Sequence, residues 1–139
     1  MKLTIQTAND LATQALVQAK NSAHQTMLAA LSQAADAITG PVPQAERDSW
    51  ATKEVAARAV VAGTATPEQA AMLSAESTVT GETVADLAVS IIAKADAYAA
   101  FAATMAGLRR TTTSAIDGAT DPDEAQAALG PLISALGAT

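Results

Sequence analysis

The chain of 139 residues has no cysteine, which excludes disulfides and thiolate-bound metals within this sequence. Aromatic residues make up only 2% of it, although 50% of the residues are hydrophobic, so the core must consist mainly of Ala, Leu, Ile, Val and Met. Basic residues are also scarce, with 8 Lys and Arg against 14 Asp and Glu and a formal net charge of -6. Because this excess of negative charge repels the phosphates of nucleic acid, we expect no nucleic-acid partner.

Signals for secretion, membrane insertion and catalysis are also missing. The first residues contain no continuous apolar segment, so we predict no secretory signal. Asp86, Lys94 and Asp96 interrupt the longest apolar stretch, and charges are costly in hydrocarbon, so no membrane span is expected. No phosphate-binding loop, nucleophile elbow or acidic metal loop occurs. We therefore predict a non-enzymatic protein with no catalytic residues, cofactor or metal, in which His24 is a half-exposed helical residue.

Alanine, the best helix former, makes up more than a quarter of the chain, and one stretch of it has a heptad pattern. Over residues 83–110 apolar side chains recur every seven residues, which predicts a helix about 40 Å long at about 1.5 Å per residue, packed against another helix. The candidate interface positions are Val84, Leu87, Ile91, Lys94, Tyr98, Phe101, Met105 and Leu108. Lys94 is the one charged residue among these positions. It either specifies the helix register or extends its charged end to water. The pair Arg109-Arg110 suits the negative end of this helix.

Capping signals predict the remaining helices. Thr7 with Asp10 begins a helix over residues 8–38, and Pro67 within a Thr-Pro-Glu-Gln capping box begins a short third helix. The second helix covers residues 44–62 and turns Trp50 and Val55 toward the core; short helices follow residue 121. The fold class is all-α: a small bundle of four to five helices over residues 8–139, with fraying expected after residue 130, preceded by an extended arm over residues 1–7.

Three residues are candidates for docking to a partner. Leu3 and Ile5 alternate with polar residues, so the arm either adds a strand to a partner's sheet or is an irregular start. Trp50 either anchors a partner or fills the space between alanine-rich helices.

The long helix is apolar on its heptad face and again around Val89 and Ile92, which predicts self-association into a dimer or trimer.

Several segments resemble a known group of phage proteins. They are AERDSWATKEVAAR at residues 45–58, GTATPEQ at 63–69, TGET at 80–83, ADL at 85–87 and IAKADAY at 92–98. Together they resemble the small alanine-rich helical proteins encoded beside tail-fibre genes in tailed bacteriophages and prophages, over about half of the chain.

This resemblance implies a structural component of the virion tail or tail fibre, with other phage tail proteins as partners. It would be located in the virion tail region, and in the host cytoplasm during assembly. Two alternatives remain open: a tail-fibre assembly chaperone absent from the mature particle, or a small helical interaction or regulatory protein. The resemblance brings no catalytic or ligand-binding residues with it.

Overall fold

A computed structural model describes residues 7–137, and within them every regular element is an α-helix. The all-α prediction is confirmed. The helices are α1 (Ala8–Thr39), α2 (Gln44–Ala62), α3 (Pro67–Thr80), α4 (Val84–Asp117), α5 (Pro122–Ala127) and α6 (Gly130–Gly137). Residues 1–6, with most of the predicted arm and both Leu3 and Ile5, lie outside the described residues.

Capping residues define the helix ends where the sequence placed them. The Thr7 side chain accepts a hydrogen bond from the Asp10 backbone N–H, and the Asp10 carboxylate accepts one from the Thr7 N–H, which completes a capping box. Thr66 and Gln69 form the same reciprocal pair at the start of α3. Gly63 and Gly81 end α2 and α3 with φ of 72° and 82°, a left-handed conformation that favours glycine.

The Asp10 capping box predicts a dependence on acid. Hydrogen bonds from the backbone N–H and the side chain of Thr7 hold the pKa of Asp10 below its usual value. Because the folded-state pKa is the lower one, the cap stabilises α1 above the ordinary Asp pKa and loses this effect as the pH falls through the folded-state value. We expect the protection factors of the amides in the first turn of α1, which are corrected for the intrinsic pH dependence of exchange, to fall over that acidic range. In Asp10→Asn this fall should disappear; an unchanged acid response in that variant would contradict this assignment.

One compact unit comprises Pro41–Ala102. Its core is a cluster of Ala56 and Ala57 from α2, Leu73 from α3, and Leu87 and Ala88 from α4. The prediction that Val55 turns toward the core is wrong, since its side chain is 60% exposed. The neighbouring Ala56 and Ala57 are buried instead, because two small side chains allow α2 to approach the helices packed on it more closely than a valine would.

The other unit comprises Met1–Gly40 and Ala103–Thr139. Ala23, Met27 and Leu31 of α1 form its core together with Ile116, Leu129 and Leu132. These α1 residues recur every fourth position, which places their side chains on one face of the helix. The helix α4 is common to both units, and the expected single helical domain over residues 8–139 stays a prediction.

The long helix extends further than its heptads indicated. It continues to Asp117, seven residues beyond Arg110, so Arg109 and Arg110 are not at its C-terminal end. The reason is that Thr112 and Ile116 are buried, so tertiary packing holds an additional stretch in helical form despite the weak helix propensity of threonine. The main-chain carbonyl of Asp117, the last residue of α4, accepts a hydrogen bond from Lys20 Nζ at 2.7 Å. Lys20 thus supplies the positive charge at the end of the helix that was expected from Arg109 and Arg110.

Candidate interaction surface of the long helix

The predicted interface residues of α4 are divided between the two cores. Val84, Leu87 and Ile91 pack in the core cluster of residues 41–102. Met105 and Leu108 pack against the core cluster of the other unit. These five side chains therefore contribute to packing within the chain, and the part of the helix between them carries the remaining candidates.

The aromatic residues meet in this middle part. The Trp50 ring lies edge-on to the Tyr98 ring with centroids 6.2 Å apart, and the Tyr98 ring lies 6.5 Å from that of Phe101. Trp50 and Phe101 are half-buried, whereas Tyr98 is 41% exposed. Such edge-to-face pairs add stability beyond the area that they bury. Trp50 of α2 thus contacts Tyr98 of α4, a tyrosine accessible to solvent, and both interpretations of Trp50 stay predictions.

Charged groups join the helices beside this aromatic cluster. Arg58 on α2 donates hydrogen bonds to Asp96 on α4 at 2.5 Å and to Glu54 at 2.8 Å. The bonds to Asp96 and then to Glu54 raise the pKa of Arg58, so its charge is permanent. Lys53 forms an ion pair with Glu76 on α3. The charged groups around Arg58 are partly exposed, so these ion pairs contribute little to stability, whereas Lys53 is only 16% exposed. Together they join α2 to α3 and α4 within this unit.

Lys94 is exposed in the folded chain. It lies at a heptad position between Ile91 and Tyr98, but no core covers it. The arrangement agrees with a lysine that extends its charged end to water, and it leaves open whether a second molecule approaches this position.

The side of α4 opposite the core residues is exposed and apolar. Val89 is 60% exposed, and the alanines that follow it at helical spacing are exposed too. Among the described helices, α4 is the one that is long and apolar enough to cross a membrane, judged by length and composition only. In an apolar stretch of 18 residues within this helix, only 11% of the residues are buried. Core helices of soluble proteins also meet this composition test, but most of their apolar surface is covered. Packing within the chain therefore accounts for the core-facing apolar residues of α4 but leaves Val89 and the exposed alanines uncovered.

An acid-base contact that the sequence did not reveal lies at the end of α4. His24 Nε2 is 2.8 Å from Asp117 Oδ1, and Lys20 bonds the main-chain carbonyl of the same aspartate. The pair could not be recognised in the sequence because His24 and Asp117 are far apart along it, and tertiary packing of α1 against the C-terminal end of α4 brings them together. Within residues 7–137 no group of three or more His, Cys, Asp or Glu side chains could hold a metal ion. The pair joins α1 to the C-terminal end of α4.

Comparison with protein-family models, curated proteins and solved structures finds no match for this chain.

Proposed function

We propose that this protein is a non-enzymatic structural component of a phage tail or tail fibre, which acts through helix packing and self-association. The observation that carries the assembly part of the proposal is the long apolar helix α4. Only 11% of the residues in an apolar stretch of 18 residues within it are buried. An exposed apolar face of this length is unfavourable in water, and covering it by another protein surface is the usual way to remove that cost. The phage part is supported by the resemblance over residues 45–110.

The partners under this proposal are a second copy of the chain and other tail proteins. The exposed Tyr98, held by the ring of Trp50, is the kind of rigid aromatic group that anchors protein interfaces. The structure describes neither Leu3 nor Ile5, so docking through the arm stays a prediction. Absence of membrane and nucleic-acid partners likewise remains an expectation from composition.

Mass spectrometry of purified particles tests the virion assignment. A structural component should be present at a fixed copy number per particle. The alternative of an assembly chaperone predicts the protein in lysates of infected cells and its absence from particles; a regulatory helical protein would be absent from particles and encoded away from tail genes. Either of these results would overturn the structural assignment.

Light scattering tests self-association independently of any phage. We expect a mass of two or three chains at micromolar concentration. A well-folded monomer at that concentration, judged by far-ultraviolet circular dichroism, would contradict the proposal.

Lys94→Leu tests the heptad face specifically. Because Lys94 is exposed in the folded chain, we expect the free energy of unfolding to change by no more than about 0.5 kcal/mol, and the oligomer mass to stay the same. Denaturant unfolding and light scattering measure the two quantities. A clear gain in stability, or a new oligomer number, would show instead that Lys94 lies in a helix seam between copies.

A further inference from the structure

We draw no further inference here: the strongest candidate, the surface patch of α4 that carries the exposed Lys94 and Tyr98, with the Tyr98 ring packed on Trp50 of α2, belongs to the interaction surface already described, and nothing in the structure shows what covers it.

Discussion

Leu73→Ala is expected to lower the free energy of unfolding of the unit Pro41–Ala102 by about 2–5 kcal/mol. The Leu73 side chain is completely buried, and its core neighbours include Ala56, Ala57 and Ala88. Alanines have no side-chain length with which to move into the vacated space, so the cavity should persist. Its cost then adds to the lost transfer of the leucine side chain from water.

Val79→Ala is the matched control for this change. It also shortens an aliphatic side chain of α3, but Val79 is 87% exposed. We expect a change of no more than about 0.5 kcal/mol. Chemical denaturation, with amide hydrogen exchange in α2 and α3 as the local measurement, gives both values. Similar losses for the two variants would show that the cluster around Leu73 is not the source of stability in this unit.

Leu132→Ala should have an effect of the same size in the other unit, again about 2–5 kcal/mol. The side chain of Leu132 is 1% exposed and packs with Met27, Leu31 and Ile116. The loss would weaken the packing of α6 on α1, because Leu132 lies in the buried cluster, whereas Leu136 of the same helix is only partly buried against it.

The adjacent residue provides a strict comparison. Ile133 lies in the same short helix but is 57% exposed, so Ile133→Ala should cost far less than Leu132→Ala. Hydrogen exchange of the α1 amides around Met27 measures the difference directly. If both variants release these amides equally, α6 is held by its backbone context and not by the buried leucine.

Local signals in the sequence accounted for most helix boundaries. The capping boxes at Thr7 and Thr66 and the glycines at positions 63 and 81 are short-range features whose hydrogen bonds or backbone angles involve only nearby residues. The same reasoning failed at the end of α4. Arg110 suits a helix terminus locally, but the burial of Thr112 and Ile116 extends the helix to Asp117.

The candidate surface was harder to predict than the fold. The sequence predicted its heptad residues as helix-packing positions, but it did not indicate that Val84, Leu87 and Ile91 would pack within the chain. The contact between His24 and Asp117 was missed for a similar reason, since it joins residues far apart in the sequence. The sequence alone does not show that Trp50, Tyr98 and Phe101 form a cluster, or which side of α4 is exposed. Both depend on which helices lie beside α4.

The sequence by itself determined the helical class and most of the helix boundaries, because caps, prolines and hydrophobic period act within a few residues of the backbone they direct. Tertiary structure alone decided which face of each helix is covered. An alanine-rich helix presents small apolar side chains on several sides, so its hydrophobic pattern permits more than one packing arrangement. The positions of the neighbouring helices determine which face of α4 is buried and which remains available to a partner.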